Sequence, residues 1–203
     1  AAAIMDHFQL RNGELYAEDV PLARIAEEVG TPVYVYSRAT LERHARVFRE
    51  SLEGLGRVHI AFAVKANPNL AVLRVLARQN YGADIVSGGE MARALAAGMT
   101  PDSIVFSGVG KTPAELAQGI DAGIGQFNLE HEEEGHVLSA IAHAQGQRVS
   151  ATLRVNPDVD AGTHEKISTG KADNKFGVPI GQAPEMYADR KSTRLNSSHT
   201  DIS

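Results

Sequence analysis

The sequence predicts an α/β fold with a parallel sheet, read as a partial (β/α)8 barrel of the TIM type containing about five βα units. Three observations carry this reading. Short apolar runs alternate with stretches of helical spacing, the repeat is about 20–25 residues, and turn residues bound each element. A doubly wound sheet would share this grammar, but the short, regular spacing without long crossovers favours the barrel. A complete eight-unit barrel takes about 250 residues and the chain has 203, so the barrel is expected to be unfinished.

Each element has its own signal. Ile60 to Val64 is an unbroken apolar run, which suits a strand buried on both faces. Asn67-Pro68-Asn69 breaks it, and Leu70 to Gln79 carries Leu70, Leu73, Leu76 and Ala77 at helical spacing. Ala83 to Val86 is the next strand and Gly89 to Ala97 the next helix. Ile104 to Phe106 follows, then a helix over Thr112 to Ala122 with Pro113 at its start. Gln126 to Leu129 is the fourth strand, and Glu132 to Gln145 a helix closed by Gly146. Arg148 to Val155, ended by Asn156-Pro157, is the fifth and last strand, with an unpaired edge where a sixth would lie.

Two end segments stand apart from this repeat. In residues 1–36, Val20 to Glu28 has helical spacing, and Pro32-Val33-Tyr34-Val35-Tyr36 alternates like a strand, a candidate contribution to a β-rich domain lying outside this chain. Residues 37–190 form the incomplete barrel, opened by a helix over Thr40 to Glu53. Residues 191–203, Lys191 to Ser203, are polar and without apolar period, as a disordered tail would be. The sharper reading is vector read-through, with the natural frame leaving the chain near Arg190 and Met5 as the natural initiator.

Composition excludes several classes of function. Apolar residues make up 43% of the chain, enough for a packed core, and the net charge is −5 with Lys and Arg scattered, which argues against a nucleic-acid partner. Cysteine is absent, so disulfides and thiolate metal sites are excluded within these residues. No apolar run approaches the roughly 20 residues of a membrane span, and the start lacks the basic and apolar regions of a signal peptide. A cytoplasmic protein is the expectation.

Lys65 is the candidate catalytic residue. In parallel α/β folds ligands are met at the C-terminal ends of strands, and Lys65 directly follows an apolar run. Partial desolvation there disfavours the ammonium and favours the neutral, nucleophilic amine that a Schiff base requires. On position alone a surface lysine that ends a strand is the better account, so position does not carry the assignment.

The surrounding residues are more specific. Phe62-Ala63-Val64-Lys65-Ala66-Asn67 resembles the cofactor-lysine segment of the fold type III, alanine-racemase-like pyridoxal-phosphate decarboxylases, and Gly82-Ala83-Asp84-Ile85-Val86-Ser87-Gly88-Gly89-Glu90 resembles their next strand and loop. Arg154-Val155-Asn156-Pro157, Thr163-His164-Glu165-Lys166-Ile167-Ser168-Thr169-Gly170 and Asn174-Lys175-Phe176-Gly177 narrow the resemblance to the diaminopimelate decarboxylase family, over about Phe8 to Arg190. The resemblance implies pyridoxal 5'-phosphate held by Lys65, with Asp84 and Glu90 near the cofactor and its lysine, and Arg154 on the barrel floor near the ring. It also implies meso-2,6-diaminopimelate as substrate, L-lysine as product, a homodimer, and a role in lysine biosynthesis. Asp84 ending a strand, Glu90 favouring a helix N-terminus, and Arg154 pairing with a buried carboxylate are the structural alternatives. Asp158 to Asn174 has the polar, glycine-containing character of a mobile loop over an active site, or of a plain surface excursion.

Other signals carry less. Ser107-Gly108-Val109-Gly110-Lys111-Thr112 has the setting of a phosphate loop, but Val105 stands where that pattern needs glycine. His131 and His136 are five apart, off the shared face a zinc pair needs, so His131-Glu132-Glu133-Glu134 reads as an acidic helix start. Gly54 and Gly56 precede a strand, the wrong side for dinucleotide binding. Two other readings remain: a non-catalytic pyridoxal-phosphate-binding barrel, and a related decarboxylase of arginine, ornithine or carboxynorspermidine.

The sequence also departs from the family pattern. A ring-stacking histidine in a His-Ile-Gly-Ser-like strand, a glycine-rich phosphate loop, a Glu-Pro-Gly-Arg segment and a Cys-Glu pair are all missing, and Ser198-His199-Thr200 does not match the first. The 203-residue polypeptide by itself is therefore expected to be inactive. Carbon dioxide release from meso-diaminopimelate by the purified chain would refute this; a rate equal to that of free cofactor is the expected result.

Overall fold

The computed structural model of the chain describes residues 6–156 and 177–189. It opens with a three-stranded antiparallel sheet of β1 (Phe8–Arg11), β2 (Glu14–Ala17) and β3 (Val20–Pro21). Asn12 and Gly13 turn the first hairpin with φ of 52° and 84°, and Arg11 pairs with Glu14 across it. Two successive positive φ angles match the right-handed strand twist, and Asn-Gly adopts them at least cost. The sequence reading passed over this signal.

Helix α1 (Leu22–Val29) follows and stops at Gly30. The strand expected over Pro32 to Tyr36 is absent: these residues are irregular, with Tyr34 89% exposed. Alternation makes a strand only where one face is covered and a neighbouring backbone pairs with it. The β structure of this segment is instead the hairpin that precedes it.

Helix α2 (Arg38–Ser51) is capped by Ser37, whose hydroxyl accepts from Thr40 N, and by the Glu18 carboxylate, which accepts from Ala39 N and from the Ser37 hydroxyl, both at 2.8 Å. One acidic side chain thus ties the antiparallel sheet to the first barrel-side helix. The Tyr81 hydroxyl donates to Ala45 O at 2.9 Å and carries α2 onto the sheet unit that follows.

Five parallel strands come next: β4 (Ala61–Ala63), β5 (Gly82–Ile85), β6 (Ile104–Phe106), β7 (Gln126–Leu129) and β8 (Ala151–Leu153). They are hydrogen-bonded in chain order. The intervening helices are α3 (Leu70–Arg78), α4 (Gly88–Ala96), α5 (Pro113–Ala122) and α6 (Glu132–Ala144). A doubly wound sheet reverses its strand order at a switch point; this one does not, so it is an arc of a barrel. A separate two-stranded sheet follows the fifth strand. After Arg154, β9 (Val155–Asn156) pairs in parallel with β10 (Val178–Pro179), and α7 (Ala183–Asp189) follows. The expected edge of the fifth strand is corrected only at its end, where Val155 pairs with Val178; among the described residues Ala151–Leu153 remain the outer strand of the five. Two residues of pairing are too short to leave a periodic signal.

The core lies between this sheet and its helices. Ala83, Ile85, Ile104, Phe106, Phe127, Leu129, Ala151 and Leu153 are buried, and alternate along their strands with half-buried Asp84, Val105, Asn128 and Thr152. The Phe106 and Phe127 rings stack 6.3 Å apart. Ile60 and Val64 are buried, but Ala61 to Ala63 between them are only half-buried, so the first strand is not covered on both faces as expected. Among the described residues β4 is one edge of the arc and β8 the other.

The Glu18 carboxyl is held below its ordinary 4.5 by the Ala39 amide first and the Ser37 hydroxyl second. A lowered folded value means its stabilisation is present above pH 4.5 and is lost as pH falls through the folded value. Glu18→Ala is expected to cost about 1 kcal/mol, or about 2–4 °C of Tm. Thermal melts should show that gap at neutral pH and show it closing in acid; a constant gap would refute the capping role.

Candidate active site at the C-terminal rim

Each strand of the arc ends in a polar rim. After β4 the chain makes a 3-10 turn, Val64–Ala66, anchored by fully buried Val64 and closed by Asn67 N donating to Val64 O. This turn delivers Lys65 to the rim. Asn69 then caps α3 by accepting from Ala71 N and Val72 N. Lys65 is exposed, and has no hydrogen bond or ion pair among the described residues. The desolvation expected for it is not observed, because it leaves an edge strand flanked by small Ala61 and Ala63.

Asp84 stands beside it. Its register pairs it with Ala63 on one side and Val105 on the other. Its neighbours Ala83 and Ile85 are fully buried towards the helices, so alternation turns Asp84 to the opposite, concave face. The Ser107 hydroxyl donates to Asp84 Oδ1 at 2.5 Å and accepts from Asn128 Nδ2 at 3.0 Å. Gln126 Nε2 donates to Asn128 Oδ1 at 2.7 Å. A polar line therefore crosses three strands with the serine proton fixed towards the carboxylate.

Glu90 lies at the start of α4. Its Oε2 accepts from Val86 N at 2.8 Å, and its own N–H donates to the Ser87 hydroxyl at 3.2 Å. This is the reciprocal capping arrangement of a helix start, the structural alternative weighed for this residue. Glu134 repeats it at α6, accepting from Glu130 N at 2.8 Å. Glu115 accepts from Thr112 N and, across the connection, from Gly88 N at 2.8 Å. The Gly88 amide first, and then Thr112, hold the Glu115 carboxyl below its ordinary range.

Arg154 ends β8. The guanidinium Nη1 donates to Glu130 Oε1 at 3.1 Å, with the Glu130 side chain 3% exposed and that of Arg154 43%. The buried-carboxylate alternative is thus present, and strand alternation puts Arg154 on the concave face shared with Thr152. The other Glu130 oxygen accepts from Gly177 N at 3.2 Å. Next to it, Lys111 Nζ meets Glu134 Oε1 at 2.8 Å with both side chains buried, donates to Gly108 O, and lies 5.8 Å from the Phe106 ring centre.

Sequence reasoning had singled out Lys65, Asp84, Glu90 and Arg154. The structure places all four along one rim, at or just beyond the ends of β4, β5 and β8. Ser107, Asn128, Glu130, Lys111 and Glu134 were missed. The glycine-rich connection set aside as a phosphate loop is the one that carries Lys111, and His131, set aside as a zinc ligand, caps α6 by accepting from Glu134 N. Glu130 had a legible signal: it extends the strand alternation of Gln126 and Asn128 by one step. The expected loop at Asp158 to Asn174, the Thr163 to Gly170 motif, Asn174 to Phe176, and the tail from Lys191 with His199 lie outside the described residues.

Residues 38–196 match the model of the pyridoxal-dependent decarboxylase, pyridoxal binding domain. The chain belongs to this family. A relative from Pseudomonas fluorescens, a diaminopimelate decarboxylase, is 54% identical over 184 residues, 90% of this chain and 44% of that protein. Among solved structures, the diaminopimelate decarboxylase from Helicobacter pylori complexed with L-lysine matches with a TM-score of 0.79 and 37% identity, covering 86% of this chain and 44% of that one. That from M. jannaschii, in co-complex with L-lysine, matches with a TM-score of 0.82 and 34% identity, covering 94% and 45%. The chain therefore spans less than half the length of these relatives.

The rim fits a pyridoxal group by the chemistry of its donors. It offers an amine with no partner among the described residues, small alanines in the strand that precedes it, and on the neighbouring strands a carboxylate, two hydrogen-bonding side chains and a guanidinium.

Proposed function

We propose that this chain is the cofactor-holding part of a diaminopimelate decarboxylase, which releases carbon dioxide from meso-2,6-diaminopimelate to give L-lysine. The observation that carries the reading is Lys65, the rim amine free of partners among the described residues, set in a chain 54% identical to a protein of that activity. When bound, pyridoxal 5'-phosphate supplies an electron sink for the pair left by the departing carboxylate.

The residues of this chain bind and orient. Lys65 Nζ, exposed at the rim, would hold the cofactor covalently. Asp84, one strand over and locked by the Ser107 hydroxyl, presents a fixed acceptor on the concave face. Asn128 extends that polar surface. Arg154, on the same concave face, would set a positive charge against the negative charge of the cofactor. Glu90 sits beside the lysine strand, where its capping of α4 shapes the loop after β5. The whole protein is a homodimer of the cytoplasm, acting on a small molecule without nucleic acid or membrane as partner. No helix among the described residues is long and apolar enough to cross a membrane, and the net charge of −5 disfavours a polyanion.

The test is carbon dioxide release by the full protein that carries this chain, supplied in turn with meso-diaminopimelate, arginine, ornithine and carboxynorspermidine. Release from meso-diaminopimelate at the highest kcat/KM, abolished by Lys65→Ala, is expected. Preference for another of these amino acids, or an unimpaired Lys65→Ala variant, would overturn the assignment.

A further inference from the structure

Glu130 is a buried carboxylate with both oxygens committed: Oε1 to Arg154 at 3.1 Å, Oε2 to Gly177 N at 3.2 Å. Its position follows from the ladder. Leu129 pairs with Leu153, and Arg154 N donates to Leu129 O at 2.9 Å, so Glu130 and Arg154 are the next residues along two paired strands. Both therefore stand at the rim, on the concave face. Gly177 closes on them with φ of 78°, and a Cβ there would lie 2.9 Å from Arg154 O. A side chain would push the Gly177 amide off the carboxylate.

A second carboxylate, Glu134, lies against Glu130 through the bond from Glu130 N to its Oε2. Each of these buried carboxylates needs a cation to offset its desolvation. Glu134 has Lys111 at 2.8 Å, with side-chain exposures of 4% and 0%. Glu130 in turn has the Arg154 guanidinium at 3.1 Å. Were the guanidinium to swing away, Glu130 would keep a single backbone donor for a full buried charge, which is costly.

We infer that Glu130 is a positioning residue, holding Arg154 in the orientation that meets the cofactor, with the Lys111–Glu134 pair bracing it from behind. The inference rests on the role given to Arg154 above. Glu130→Gln keeps shape and the acceptor for Gly177 but removes the charge that holds the guanidinium.

The experiment is a titration of pyridoxal 5'-phosphate into the full protein carrying this chain, followed by the visible absorption band of the bound cofactor. Wild type, Glu130→Gln, Arg154→Gln and the double variant are compared, with melts of the cofactor-free proteins alongside. Glu130→Gln should weaken cofactor binding about tenfold, the scale of one charge-assisted hydrogen bond, and alter the band. The double variant should be no worse than Arg154→Gln alone. If Glu130→Gln does not fold, Glu130→Asp, which keeps the charge and withdraws it by one methylene, should show a smaller loss of the same kind. Wild-type affinity and band in the folded Glu130 variant, or additive losses in the double variant, would overturn the inference. A folded Arg154→Gln variant with unchanged binding would instead remove the role of Arg154, and this inference with it.

Discussion

The parallel ladder from β4 to β8 pairs Ala63 with Asp84, Asp84 with Val105, and Asn128 with Thr152, and this register decides which side chains can meet. Because alternation is strict within a strand, a slip of one residue would exchange the two faces. Ala83, Ile85, Phe106 and Phe127 would then face the rim, and Asp84 and Asn128 the helices. The stacked Phe106 and Phe127, both fully buried, make that exchange prohibitive. Packing on the convex side thus holds the polar constellation on the concave side.

A second constraint acts at the connections. Three of the helices that follow strands begin with a carboxylate that reaches back to an amide at or just before the helix start: Glu90 at α4, Glu115 at α5 and Glu134 at α6. Each answers backbone donors that the first helical turn leaves without partners, and each negative charge sits at the favourable end of a helix dipole. The same bonds fix the loops at the ends of β5, β6 and β7. Glu115 goes further and couples two loops through Gly88. The rim is thus stiffened by acidic side chains bound to backbone amides, while Asp84 and Arg154 take polar contacts from neighbouring strands, from Ser107 and Glu130 respectively.

Much of this was legible in the sequence, for reasons that differ by element. The helices α3 to α6 and strands β6 and β7 announce themselves because a buried stripe or run, a cap and a stop coincide in each, as with Thr112, Pro113 and Gly123 around α5. Lys65, Asp84, Glu90 and Arg154 were found through the short runs that contain them. Elements settled by tertiary pairing were not. The segment Pro32 to Tyr36 alternates without a partner to pair with, and β10 needs Arg154 O, which bonds to Val178 N, to be a strand at all. The ion pairs of Lys111 and Glu130 connect residues 23 or 24 apart, and only the βα repeat brings those positions together. The exposure of Lys65 depends likewise on its strand being an edge.

The central claim is that Lys65 carries the cofactor. The most direct measurement is to load the protein with pyridoxal 5'-phosphate, reduce it with borohydride, digest it and locate the pyridoxyl group by mass spectrometry. Modification confined to the peptide containing Lys65, and lost in Lys65→Ala, is the result this account predicts. Label on Lys111 or any other lysine while Lys65 stays unmodified, or no stable label at all, would contradict it.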